Sequence, residues 1–367
     1  MKFLICFGTR PEAIKMAPLI HEMKRRGMPF KVCVTAQHRE MLDQVLDFFE
    51  ITPDYDFNAM QPGQQLNVLS SYVLKEVDAV IEKEKPDMIL VQGDTTSAFI
   101  GSFAAFNRQI KVGHIEAGLR TFDKKHPFPE EGNRQLISRI TDFHFTPTPQ
   151  SSVNLQQENI QKEDIYLSGN TIVDALGYAV TKLNNGFANT EIKRLEDLIR
   201  ADKKIILVTG HRRESFGQGI REVCEALLEL VERSGAQVVF PVHLNPKVQG
   251  PVKEILAGQS DIHLVHPVTY PVLIWLMKKC DIIISDSGGI QEEAPSLNKP
   301  VIVTRSVSER MEGVEAGFSF LTGTMKERII EKGLELLKNK PDYSGVSNPY
   351  GDGRASERII DILLKSL

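Results

Sequence analysis

Met88-Ile89-Leu90-Val91-Gln92-Gly93-Asp94-Thr95-Thr96 is the stretch that decides how this chain folds. Its apolar run has none of the in–out alternation of a half-exposed strand, so strand 87–92 must be covered on both faces. The run stops at a glycine, and charged and hydroxyl side chains follow. The same arrangement recurs on either side, with strand candidates at 2–7, 30–35, 111–116 and 143–147, and then at 204–209, 236–242, 262–265, 281–285 and 300–304. Helical periodicity fills the gaps, as in Leu66 to Ile81 and Ile220 to Val231. Strands alternating with helices imply right-handed βαβ units and parallel sheets.

The alternation breaks once. Leu183-Asn184-Asn185-Gly186 is turn chemistry, and Glu191 to Lys204 is charged and helical without strong apolar periodicity. It restarts at Ile205-Ile206-Leu207-Val208. The expected fold class is therefore α/β, with two Rossmann-like doubly wound domains joined near 168–185. After a turn at Asn348-Pro349-Tyr350-Gly351-Asp352-Gly353, a last helix is expected at about 355–366.

A length of 367 residues suits two domains. A formal charge of -4 gives no global attraction to nucleic acid or to anionic lipid, so neither is expected as a partner. No run of about 18 apolar residues exists to span a membrane. Phe3 to Phe7 follows Lys2, but the run is too short for a signal segment and Gly8-Thr9-Arg10-Pro11-Glu12 interrupts it, so it reads as a first strand. Cys6, Cys33, Cys224 and Cys280 are scattered, which fits buried thiols in a reducing cytosol better than a zinc site or a disulfide framework.

Ligands of open α/β sheets sit outside the carboxyl ends of the strands. Those ends here carry Gly8-Thr9-Arg10 with Lys15 a turn later, Gly93-Asp94, Glu116, Gly210-His211-Arg212-Arg213-Glu214, His243 with Asn245, and Asp286-Ser287-Gly288-Gly289. Polar residues at nearly every strand end, in both halves, suggest one crevice between facing domains. Ser287-Gly288-Gly289 opens a helix whose free N–H groups suit a phosphate; a simple serine-capped turn is the plainer reading. His211, Arg212 and Arg213 suit a diphosphate, or form a solvated turn. GxGxxG and GxxxxGK[ST] are both absent, so no nicotinamide or Walker-type site is expected. Asp94, Glu116 and Glu130 permit acid–base chemistry if they converge. Asp94 could equally cap the next helix, Glu131 reads as a first-turn carboxylate favoured by the helix dipole, and His114 and His144 read as core residues.

Several segments together resemble the non-hydrolysing UDP-N-acetylglucosamine 2-epimerases. In the first half these are Phe7-Gly8-Thr9-Arg10-Pro11-Glu12-Ala13-Ile14-Lys15, Gln92-Gly93-Asp94-Thr95-Thr96, Gly113-His114-Ile115-Glu116-Ala117-Gly118-Leu119-Arg120 and Pro129-Glu130-Glu131-Gly132-Asn133-Arg134. In the second half they are Thr209-Gly210-His211-Arg212-Arg213-Glu214, Pro241-Val242-His243-Leu244-Asn245-Pro246, Asp286-Ser287-Gly288-Gly289-Ile290-Gln291-Glu292-Glu293-Ala294-Pro295-Ser296 and Asn348-Pro349-Tyr350-Gly351-Asp352-Gly353. The resemblance implies a GT-B-like fold, with domains at 1–169 and 170–352 and a helix at about 353–367 packing back on the first. It implies a cytoplasmic homodimer serving cell-envelope polysaccharide synthesis. Its implied catalytic set is Asp94, Glu116, Glu130 and His211. Arg10, Ser287, Gly288 and Gly289 match diphosphate contacts and Glu293 a ribose ligand. Lys15, Arg134, Arg212, Arg213, His243, Asn245 and Arg310 are further substrate-binding positions, and neither metal nor cofactor is implied. Gln37, Glu130, His243 and one of Arg212 and Arg213 match a second, activating UDP-GlcNAc site. Glu40 and Gly63 stand where regulated members carry Gln and Arg, so weak or absent activation is expected.

The expected reaction is reversible C2 epimerisation of UDP-GlcNAc to UDP-ManNAc. A pyranose C2–H has no adjacent carbonyl, so it exchanges either after oxidation at C3 or by elimination of UDP across C1–C2. Without a nicotinamide site the second route is expected, by anti elimination through a 2-acetamidoglucal. A GT-B glycosyltransferase using a UDP-sugar, a hydrolysing 2-epimerase releasing free ManNAc and a non-catalytic nucleotide-sugar sensor are the alternatives.

Overall fold

A computed structural model of the chain describes residues 1–35, 39–59, 64–210, 217–306, 308 and 310–366, with residues 39 and 40 described by backbone alone. The chain forms two compact units, Met1–Gly177 with Tyr350–Leu367, and Tyr178–Pro349. The first contains β1 (Phe3–Phe7), β2 (Phe30–Val34), β3 (Tyr55–Asp56), β4 (Met88–Gln92), β5 (Lys111–Ile115), β6 (Phe143–Thr146) and β7 (Ile165–Leu167). The second contains β8 (Ile205–Thr209), β9 (Gln237–Pro241), β10 (Ile262–Val265), β11 (Ile282–Ser285), β12 (Val301–Val303) and β13 (Ser319–Leu321).

Each unit has one sheet, ordered β3-β2-β1-β4-β5-β6-β7 and β10-β9-β8-β11-β12-β13. The strands pair in parallel, with Phe3 opposite both Phe30 and Met88, and Ile206 opposite both Val238 and Ile282. Both orders begin in the middle, run outward to one edge and cross back, which is the doubly wound arrangement expected. Each sheet therefore has a switch point, between β1 and β4 and between β8 and β11, where ligands of such sheets bind.

All ten predicted strands are present; β3, β7 and β13 are additional. All three are edge strands of two or three residues, too short for a continuous apolar run. The charged segment 191–204 overlaps the helix Thr190–Leu198, which is capped by Asn189 and buries Ile192 and Leu195.

The core of the first unit gathers Leu4, Cys6, Val73, Val77, Ile89 and Val91, and that of the second Ile206, Val208, Leu227, Val238, Phe240 and Ile284. The four cysteines are free and buried. Burial pushes the Cys224 and Cys280 thiols up to about 12. No helix among the described residues is long and apolar enough to cross a membrane.

The hand-over between units was expected at 169/170 and 352/353, but the units divide inside the helix Thr171–Asn184 and just before Tyr350. The early residues of that helix are tied to the first unit. Asn170 N–H donates to the Tyr350 carbonyl at 3.0 Å, and the Asp174 carboxylate accepts from the backbone N–H groups of Ala355 and Ser356 at 3.2 and 2.7 Å. The final helix, Ala355–Lys365, packs on the helix Arg10–Arg25, with Arg26 paired to Asp361 at 2.8 Å.

Candidate active site

In the first unit the site residues lie in the first turns of the helix Arg10–Arg25 that follows β1, on the loops after β4 and β5, and on the helix Glu130–Arg139. The loop after β1 is tight. A Cβ on Gly8 would lie 2.1 Å from the Thr35 hydroxyl, which is bonded to Ser97 at 2.7 Å. Glu12 holds this loop from below. Its carboxyl accepts from the backbone N–H of Gly8 at 3.1 Å and of Thr9 at 2.7 Å, and from the Thr95 hydroxyl at 2.7 Å. One buried carboxyl thus ties the turn that leads into Arg10 to the loop carrying Asp94. Burial, acting against those hydrogen bonds, pushes Glu12 up to about 7.

Asp94 does not cap the following helix. Thr95 does, accepting from the Ala98 N–H at 3.0 Å. The hydrogen-bonding geometry of a residue one place further on wins, which leaves the Asp94 carboxylate turned toward Arg134. Arg134 donates to Asp94 Oδ2 through Nε at 2.9 Å and through Nη2 at 2.7 Å. Burial would lower the guanidinium pKa, but Asp94 and then Glu131 outweigh it and the net direction is up. Asn133 also donates to the Asp94 carbonyl, at 2.8 Å.

Glu116 sits just beyond β5 with φ at 65°, in the left-handed region that costs a non-glycine residue about 1–3 kcal/mol. Its two carboxylate oxygens are claimed separately, one by the Lys15 ammonium and the other by the Gln92 amide. The Lys15 and Glu116 side chains are 9% and 7% exposed. Lys15, read from sequence as a substrate contact, therefore stands first of all as the partner of Glu116.

Glu130 shares a helix face with Asn133 and Arg134, both of which touch Asp94. Its Oε2 is buried and has no partner among the described residues. Buried polar atoms usually find a partner, so an open carboxylate oxygen beside the residues that hold Asp94 calls for a specific explanation. Glu131 is in the first turn of this helix, as expected, and is wholly buried. His114 and His144 lie in the core, where burial lowers them to about 4 and about 3; the His114 ring bonds the Gly93 carbonyl at 2.7 Å.

In the second unit the helix Gly288–Glu293 starts at the end of β11, beside the switch point. Ser287 occupies the N-cap position but makes no side-chain cap bond. The Arg310 guanidinium lies over Gly288, so close that a Cβ there would sit 2.4 Å from Cζ. Glu292 fixes it, accepting from Nε at 2.8 Å inside the protein. Glu293, the expected ribose ligand, is buried and accepts from the Tyr270 hydroxyl at 2.8 Å. Asn245 caps the helix Pro246–Leu256, and the exposed His243 ring accepts from the Asn245 N–H at 3.2 Å. Gly289 has room around its Cα, with Ser287 Oγ nearest at 4.0 Å from an added Cβ.

His211, Arg212, Arg213, Gln37 and Gly63 lie outside the described residues, as does the side chain of Glu40. Sequence reasoning passed over Glu12, Gln92, Tyr270 and Glu292. For Glu12 a signal existed, since Thr9-x-x-Glu12 is the capping-box pattern. Gln92, a lone amide ending an apolar strand, was a weaker one.

The chain matches the family described as UDP-N-acetylglucosamine 2-epimerase over residues 21–364. It is 50% identical to the UDP-N-acetylglucosamine 2-epimerase of Campylobacter jejuni, over 99% of this chain and 97% of that protein. Identity to the Escherichia coli K12 enzyme of the same name is 49%, over 99% and 98% of the two chains. A crystal structure of UDP-GlcNAc 2-epimerase from Neisseria meningitidis, bound to UDP-GlcNAc, superposes with a TM-score of 0.93 at 46% identity and full coverage of both chains. The Methanocaldococcus jannaschii UDP-GlcNAc 2-epimerase, in complex with UDP-GlcNAc and UDP, gives 0.85 at 33% identity. A glycotransferase of kitacinnamycin, at 12% identity and a TM-score of 0.63, shares the fold alone. Agreement of this depth across both sheets leaves one conclusion: the chain belongs to the UDP-N-acetylglucosamine 2-epimerase family.

Proposed function

We propose that this chain interconverts UDP-GlcNAc and UDP-ManNAc by anti elimination of UDP to a 2-acetamidoglucal and re-addition of UDP to the same face of C1, with the proton returned to the opposite face of C2. In the forward step a carboxylate takes the C2 proton, the C1–O bond breaks with its electron pair leaving on UDP, and C1=C2 forms. In the return step UDP oxygen rebuilds the C1 bond and a second carboxylic acid delivers a proton to the other face of C2. Proton acceptance and delivery fall to Asp94, Glu116 and Glu130. A positioned general acid or base typically contributes about 100- to 10,000-fold.

The observation that carries this reading is the grouping of these carboxylates at the carboxyl ends of β4 and β5 and on the helix beside them. Each is in a different setting: Asp94 against Arg134, Glu116 clamped by Lys15 and Gln92, and Glu130 with a buried oxygen left open. Three dissimilar carboxylates suit a reaction needing both a proton acceptor and a proton donor. Lys15 and Arg134 serve it by aiming carboxylates as well as by meeting substrate.

The diphosphate is assigned to Arg10, His211, Arg212, Arg213, Ser287, Gly288, Gly289 and Arg310, with His243 and Asn245 beside it and Glu293 on the ribose. A helix N-terminus and a guanidinium held over Gly288 are complementary to the charge that grows on departing UDP, and such preorganised donors are worth about 3–4 kcal/mol each in the transition state. We further assign the chain to the cytoplasm, as a homodimer supplying cell-envelope polysaccharide synthesis. Support for the compartment is the four free, buried thiols.

The test is incubation with UDP-GlcNAc alone in D2O, followed by NMR. UDP-ManNAc with deuterium at C2 is expected. Free ManNAc, or no product without an added acceptor, would point instead to a hydrolase or a glycosyltransferase.

A further inference from the structure

Glu131 is fully buried one residue after Glu130, and four donors converge on it. Oε2 accepts from the Thr121 N–H at 3.0 Å and from Arg134 Nη1 at 3.2 Å. Oε1 accepts from the Phe122 N–H at 3.1 Å and from the Gln135 amide at 2.9 Å. Only an acceptor-only group matches four donors. The amide of glutamine would turn an N–H toward two of them. Arg134 in turn spends its remaining edge on Asp94, through Nε and Nη2. The guanidinium is a rigid planar fork, so the contact that fixes one edge also sets the direction of the other.

We propose that Glu131 is a positioning residue: held by Thr121, Phe122 and Gln135, it acts through Arg134 to aim the Asp94 carboxylate. It touches neither substrate nor reacting atoms. The proposal rests on the catalytic reading of Asp94. A misplacement on the scale of an ångström in a reacting group costs about 100-fold, so Glu131 matters to turnover out of proportion to its distance from the chemistry.

The test is a double-mutant cycle in the full-length chain, measured by C2 deuterium incorporation over long incubations. E131Q alone should lower kcat about 10- to 100-fold and leave KM within about threefold of the parent. In the D94N background, where no carboxylate remains to be aimed, E131Q should cost less than about a further threefold. A role confined to holding the fold predicts that the two losses multiply in full. That outcome overturns the proposal, as does parental turnover in E131Q or a change confined to KM. Parental turnover in D94N itself would withdraw the reading of Asp94 and the relay with it, a result separable from failure of E131Q alone. Should E131Q not fold, R134K carries the same cycle in kcat, because it keeps the bonds of Glu131 to Thr121, Phe122 and Gln135 and removes the fork, while any contact of Arg134 with substrate shows in KM. No further loss from R134K in D94N supports the relay, and a fully multiplied loss overturns it.

Discussion

Gly288→Ala is the substitution for which the structure gives the sharpest expectation. An added Cβ would lie 2.4, 2.6 and 2.7 Å from Cζ, Nη1 and Nη2 of Arg310, all closer than real Cβ contacts come. Either the first turn of the helix Gly288–Glu293 or the guanidinium must move. An arginine tip is usually free to swing away. This one is tied through Nε to Glu292 at 2.8 Å, with 10% and 3% of the two side chains exposed. Giving up that charge-assisted bond costs about 1.5–3 kcal/mol of stability. The melting temperature should then fall roughly 3–12 °C. If Arg310 and this helix start hold the diphosphate, UDP affinity should drop by a similar free energy, about 10- to 100-fold. Calorimetric titration with UDP and thermal unfolding measure both. Gly289→Ala, whose Cβ meets nothing nearer than 4.0 Å, is the control for stability and should leave Tm within about 1–2 °C. A G288A chain with parental Tm and parental UDP affinity would refute the reasoning.

Other expectations follow from the same geometry. D94N, E116Q and E130Q should each lower turnover about 100- to 10,000-fold with little change in UDP affinity, and near-parental turnover in all three would remove the carboxylates from the mechanism. R10A and H211A should weaken UDP binding by about 1.5–3 kcal/mol; unchanged calorimetric affinity in both would remove the clamp. Glu12 titrates at about 7 in the folded chain against a usual 4.5, so its contribution to stability is fully present below about pH 4.5 and is lost as pH rises through about 7. That is about 3 kcal/mol in order of magnitude, and urea unfolding of E12Q should show a flatter pH profile than the parent between about pH 5 and pH 8; parallel profiles would contradict it. Starting from pure UDP-ManNAc, the reaction should begin without a lag, because Glu40 would repel a second diphosphate and Gly63 offers it no side-chain donor; a lag abolished by a trace of UDP-GlcNAc would show otherwise.

The doubly wound sheets were readable because parallel strands buried on both faces leave unbroken apolar runs, as in Met88 to Gln92 and Ile282 to Ser285. The edge strands were not, since a strand such as Ile165–Leu167 has little to hide; Leu167 remains 53% exposed. The strand-end rule led directly to Asp94, Glu116 and Gly288. What no local pattern could supply was which charges meet. Lys15 follows β1 and Glu116 follows β5, and only the folded order of strands brings them into contact. Glu130 and Glu131 are neighbours of one residue type, yet one leaves an oxygen open and the other is saturated with donors. The helix dipole favours a carboxylate at either position and cannot distinguish them. Arg310 over Gly288 is likewise a tertiary contact that neither segment announces.

The central claim is that the C1–O bond to UDP breaks and re-forms in every turnover. Positional isotope exchange tests it without reference to any residue. UDP-GlcNAc carrying 18O in the bridge between C1 and the β-phosphorus is incubated with the enzyme, and the recovered nucleotide sugars are examined by 31P NMR. Free UDP in the site lets the β-phosphate turn before it re-adds, so the account predicts 18O scrambling from the bridge into the non-bridging β-phosphate positions, in step with deuterium uptake at C2. Epimerisation with the label held entirely in the bridge would contradict elimination and return the mechanism to chemistry that leaves C1–O intact.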